Sequence, residues 1–60
     1  MFYKKNQAIQ AAIKTFNNAP EERKVIVEYD YSQRVYFIHV LEAWESTRHL
    51  NGTIIKTLSK

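Results

Sequence analysis

Lys24-Val-Ile-Val-Glu-Tyr-Asp-Tyr-Ser-Gln-Arg-Val-Tyr-Phe-Ile-His-Val-Leu41 is the stretch that decides the fold. Both halves are dense in Val, Ile, Tyr and Phe, which suit a pleated, half-buried surface, so the stretch predicts a β-hairpin. In the first half Val25, Val27 and Tyr29 alternate with Lys24, Glu28 and Asp30, and Ile26 interrupts the polar set. The second half, Val35 to Leu41, is apolar everywhere except His39. A strand that is apolar on both sides predicts a sheet covered on both faces. The turn holds no Gly or Asn, which disfavours a two-residue hairpin loop at Ser32-Gln33. A longer loop is expected, with Asp30 opening a type I turn and Gln33 left-handed.

That loop sets Asp30 opposite Arg34 and Val27 opposite Phe37. One face then carries Val25, Val27, Tyr29, Val35, Phe37, His39 and Leu41. The other carries Ile26, Glu28, Tyr36, Ile38 and Val40. A slip of one residue would exchange the faces of the second strand.

Upstream, Ile9, Ala12, Ile13 and Phe16 recur at helical spacing, with Gln10, Lys14 and Asn17 opposite. The expected helix begins at Lys4 or Asn6, with Asn6 a candidate N-cap, and ends at Asn17. Asn17-Asn18 can supply a left-handed terminal residue, and Pro20 bars continuation. Its single apolar stripe can cover one sheet face, not two. Downstream, Thr53 to Leu58 is β-branched and reads as a strand. Residues 42–50 read either as a prolonged second strand reaching Leu50 or as a helix over Leu41–Leu50. Asn51-Gly52 is a strong hairpin signal and favours the strand. The expected fold is α+β: an N-terminal helix on one face of a three-stranded antiparallel β-meander (αβββ), with αββα as runner-up.

Sixty residues allow one domain, spanning 1–60. Folding at this size buries only about 60% of the unfolded chain's surface. Disulfides are excluded because there is no Cys, and two imidazoles make a structural metal improbable. Self-association therefore gains weight. No apolar run reaches the ~20 residues of a membrane span, and the N-terminus lacks a signal-peptide core, so the expectation is a cytosolic protein. Nine Lys and Arg against six acidic residues give a net charge of +3, a weak preference for acidic partners.

No nucleophile motif, glycine-rich phosphate loop or metal-ligand spacing is present, so neither an enzyme, a cofactor nor a small-molecule substrate is expected. His39 reads as a half-buried sheet histidine bonded to a neighbour. His49 near Glu45 reads as a surface histidine rather than an acid–base group. Asn51-Gly52-Thr53 matches a glycosylation acceptor formally but reads as a tight turn. Tyr29, Tyr31, Tyr36 and Phe37 beside Arg34 could stack nucleobases, with Lys4, Lys5 and Lys14 on phosphates.

The expected function is non-enzymatic binding and regulation of a partner protein through the sheet face the helix leaves open. Ile26, Tyr36, Ile38, Val40 and Trp44 would be its apolar contacts, with Arg34 and Arg48 as a charged rim. A second copy as partner gives a homodimer; the other expected partner is a host machine modulated by a phage- or plasmid-type factor. Nucleic-acid binding is the alternative.

Overall fold

The computed structural model describes residues 1–19, 22–48 and 50–59. Pro20 as helix stop and His49 as acid–base group lie outside these residues. Helix α1 (Lys5–Asn17) precedes strands β1 (Arg23–Asp30), β2 (Val35–Glu42) and β3 (Thr53–Leu58). The α+β class and the order helix–strand–strand–strand are as expected. The meander is not: the sheet runs β2-β1-β3, with β1 antiparallel to both neighbours. No helix among the described residues is long and apolar enough to cross a membrane.

β1 is central because it is the strand that stays buried on both faces. Val25, Ile26 and Val27 are fully buried, and Glu28 follows them. β2, although more apolar in sequence, is an edge strand with Val40 exposed. Its outer edge receives Phe2, whose N–H and C=O bond Tyr36 at 2.9 and 2.7 Å. At the other end, Arg23 and Glu42 are both Cα partners and an ion pair.

Since β2 and β3 both run opposite to β1, the chain between them must return along the sheet. β2 ends beside Arg23, whereas β3 starts beside Tyr29, about 20 Å away along β1. A helix over residues 43–52 would span only about 15 Å, which is too short. The segment instead runs open through two local turns, Glu45 N–H to Glu42 O and Leu50 N–H to Thr47 O, each 3.0 Å. This disposes of the Leu41–Leu50 helix, and β2 stops at Glu42 rather than reaching Leu50.

The register differs by one residue from the expected one. Asp30 pairs with Val35, Val27 with Ile38 and Val25 with Val40. The loop is longer because Asp30 organises it: its Oδ1 accepts from Ser32 N–H (2.9 Å) and Ser32 Oγ (2.6 Å), and Arg34 N–H reaches Asp30 O at 2.8 Å. The left-handed residue is Arg34 (φ 58°), not Gln33. The faces of β2 are thereby exchanged. Tyr36, Ile38 and Val40 join Val25, Val27 and Tyr29 on the face that α1 covers. Val35, Phe37, His39 and Leu41 join Ile26 and Glu28 on the opposite face.

α1 meets the sheet through Ala8 and Ala12, both fully buried and one turn apart. Their small side chains let the helix sit close above Val25 and Val27, with Phe2, Phe16, Tyr36, Ile38, Ile55 and Leu58 packed around them. The buried stripe is rotated from the expected one, leaving Ile13 exposed. Lys4 rather than Asn6 is the N-cap, and no side chain bonds there. Asn18 ends the helix in a right-handed conformation (φ −97°), not a left-handed one.

Two outcomes test this arrangement. Ile26→Ala should cost about 2–5 kcal/mol in urea unfolding, whereas Val40→Ala should cost far less; comparable losses would refute the register. The Ser32 hydrogen bonds hold the Asp30 carboxyl below its ordinary value of 3.8. Stability from this group is therefore present above that value and lost as pH falls through the lower, folded value. The midpoint gap between wild type and Asp30→Asn should close in acid, and a gap unchanged with pH would contradict the loop assignment.

Candidate functional site

The face away from α1 is covered by the chain itself. Residues 43–48 and 50–52 cross it, tied at one end by Ala43 N–H to Glu22 O (2.7 Å) and by the Lys24 ammonium to the Glu45 carbonyl. Glu45 Oε1 also accepts from Glu42 N–H at 3.0 Å. At the other end, the segment is tied to the side chain of Glu28.

Glu28 sits in mid-β1 and is only 7% exposed. A buried carboxylate requires partners on its oxygens, and both are occupied. Oε1 lies 2.6 Å from His39 Nε2, and Oε2 accepts the Gly52 N–H at 2.5 Å. Ile26 pairs with His39 and Glu28 with Phe37, so the two polar side chains are diagonal neighbours on one face. Phe37 flanks the imidazole at 6.5 Å between ring centroids.

Gly52 is demanded by proximity. A Cβ there would lie 2.3 Å from the Tyr29 carbonyl oxygen and 2.7 Å from Glu28 Cγ. Its φ is not positive. Asn51-Gly52 is thus not the hairpin turn expected between the second and third strands; it is the point where the crossover enters β3 against Glu28.

Beside this pair, a cleft of about 300 Å³ is lined by Glu28, Asp30, Phe37, His39, Leu50 and Asn51. A carboxylate holding an imidazole is part of a general-base device, and the described lining places no Ser, Thr, Cys or Lys side chain beside it. Among the described residues no three His, Cys, Asp or Glu side chains converge as a metal site. What the geometry accomplishes is a pin: one carboxylate joins β1, β2 and the crossover.

The residues expected to form one partner surface are divided. Ile26 is fully buried under the crossover, out of reach of any partner while the chain stays folded. Tyr36 and Ile38 are half-buried on the opposite face, packed toward α1. Val40 is 49% exposed, and Trp44, in the turn after β2, is 82% exposed. Arg34 and Arg48 are exposed, in the hairpin loop and the crossover. The Glu28–His39 pair was missed because the expected register put the two on different faces. A signal was available: each is the lone polar interruption in a run of apolar neighbours.

Glu28→Ala should destabilise by about 1–3 kcal/mol, since it orphans the Gly52 N–H and His39 together. Glu28→Gln, which keeps an acceptor, should lose less. Gly52→Ala should cost a further-reaching 1–3 kcal/mol or so through the clash with the Tyr29 carbonyl. Thermal melts showing all three variants at wild-type stability would refute the pin.

The chain matches no protein-family model, no curated protein and no solved structure.

Proposed function

We propose that the protein is a non-enzymatic binding and regulatory factor that engages a partner protein through Trp44. The observation that carries this reading is an indole 82% exposed, the highest exposure of any large apolar side chain among the described residues. Exposing Trp is costly in water, and Trp is the residue type most enriched at interface hot spots. Val40, four residues earlier and half exposed, adds apolar area at the same end of β2, and Arg48 supplies a cation further along the crossover. The surface is smaller than a whole sheet face, so it suits a partner that offers a pocket for one anchor. The pinned crossover holds that anchor in a fixed frame, which lowers the ordering cost of binding.

Trp44 is the chain's single tryptophan, so its emission reports on the site directly. Dilute protein should emit as a solvent-exposed indole. Emission should move to shorter wavelength on engagement of a partner recovered by affinity capture, or at high concentration if the partner is a second copy, with mass in solution separating the two. Trp44→Ala should weaken that association by about thirtyfold or more, equivalent to about 2 kcal/mol. A buried-type emission in the free protein, or undiminished association of Trp44→Ala, would overturn the reading.

A further inference from the structure

The end of the molecule opposite Trp44 is aromatic and cationic. Tyr29 and Tyr36 are cross-strand partners with ring centroids 4.7 Å apart, and Tyr31 meets Tyr29 edge-on at 4.9 Å and 86°. Tyr31 is nevertheless 69% exposed, so Tyr29 fixes its ring while leaving most of it open. The bridge between Phe2 and Tyr36 brings the start of the chain to the same end, and with it the exposed Lys4 and Lys5. Arg34, exposed and left-handed, projects from the adjoining loop.

Charge is segregated to match. Residues 1–20 contain no Asp or Glu. Glu28 and Asp30 belong to the crossover face, where Ser32 turns the Asp30 carboxylate into its own loop and keeps it charged. Glu22, Glu42 and Glu45 cluster at the far end of β1, around Arg23 and Lys24. Lys4, Lys5 and Arg34 therefore share the tyrosine end of the sheet, where the carboxylate among the described residues is that of Asp30, on the crossover side.

We propose that this end binds single-stranded nucleic acid, stacking a base on Tyr31 and neutralising phosphates with Lys4, Lys5 and Arg34. Stacking on a fixed, open ring tolerates any base, because every base has a π-face. A duplex hides those faces, so the surface selects unpaired strands. This site is separate from the Trp44 surface and does not depend on it.

The test is fluorescence anisotropy with a labelled oligothymidylate of about twelve nucleotides, against a duplex of equal length. Three phosphate contacts to a single strand predict a slope near −2 in log affinity against log salt, or about a 16-fold loss from about 50 to about 200 mM. Tyr31→Ala should lose roughly tenfold in affinity with an unchanged melting temperature, while Tyr31→Phe retains binding. Lys4→Gln/Lys5→Gln should flatten the slope by about 1.4, and Trp44→Ala should bind the oligonucleotide like wild type. The proposal is overturned by no binding at low salt, by duplex binding equal to single-strand binding, or by Tyr31→Ala matching wild type. Equal losses in Tyr31→Phe and Tyr31→Ala would also overturn it, since stacking would then not be the interaction.

Discussion

A carboxyl group shut inside a sixty-residue protein is costly unless its oxygens find partners, and Glu28 imposes that condition here. Its two oxygens take one partner from β2, His39, and one from the crossover, Gly52. Two elements that do not pair with each other are thereby fixed against the central strand. Burial and hydrogen bonding reinforce each other: the crossover excludes water from Glu28, and Glu28 holds the crossover down. Breaking either bond leaves the other partner poorly satisfied, so the cost exceeds that of a surface contact.

The remainder of the architecture follows from covering β1 twice. On one side, Ala8 and Ala12 allow α1 to approach Val25 and Val27 closely, and larger side chains fill in around them. On the other, Ile26 is sealed beneath an open segment that supplies little apolar bulk of its own, chiefly Leu50 beside the cleft. A segment with so few apolar groups needs polar anchors. Lys24 with the Glu45 carbonyl and Glu28 with Gly52 supply one at each end.

Much of this was legible in the sequence, and the failures have identifiable causes. The helix, the hairpin and the last strand follow from apolar spacing and β-branched runs. So does the requirement that something beyond the helix cover the sheet. The register was lost by one residue because no Gly or Asn marks the left-handed position, and Arg34 takes it once Asp30 has captured Ser32. Strand order was lost because β2 looks greasier than β1, whose central Glu28 disguises a strand buried on both sides. Asn51-Gly52 suggested a hairpin, yet residues 43–52 are too many for one and about the length a crossover between parallel strands requires. The partner surface failed as a set for the same reason: the register slip carried Ile26 away from Tyr36, Ile38 and Val40.

With α1 on one sheet face and the crossover on the other, the two proposed surfaces lie at opposite ends, Trp44 at one and the tyrosines at the other. Their separation across the sheet's length depends on the crossover being fixed in place. The Gly52 amide reports on that directly, because in the folded chain it is bonded to Glu28 Oε2. Its hydrogen-exchange rate, measured by NMR, should be strongly slowed relative to an unstructured peptide and should rise in Glu28→Ala under conditions where β1 amides stay protected. Exchange of the Gly52 amide at the unstructured rate in the wild-type chain would contradict the account.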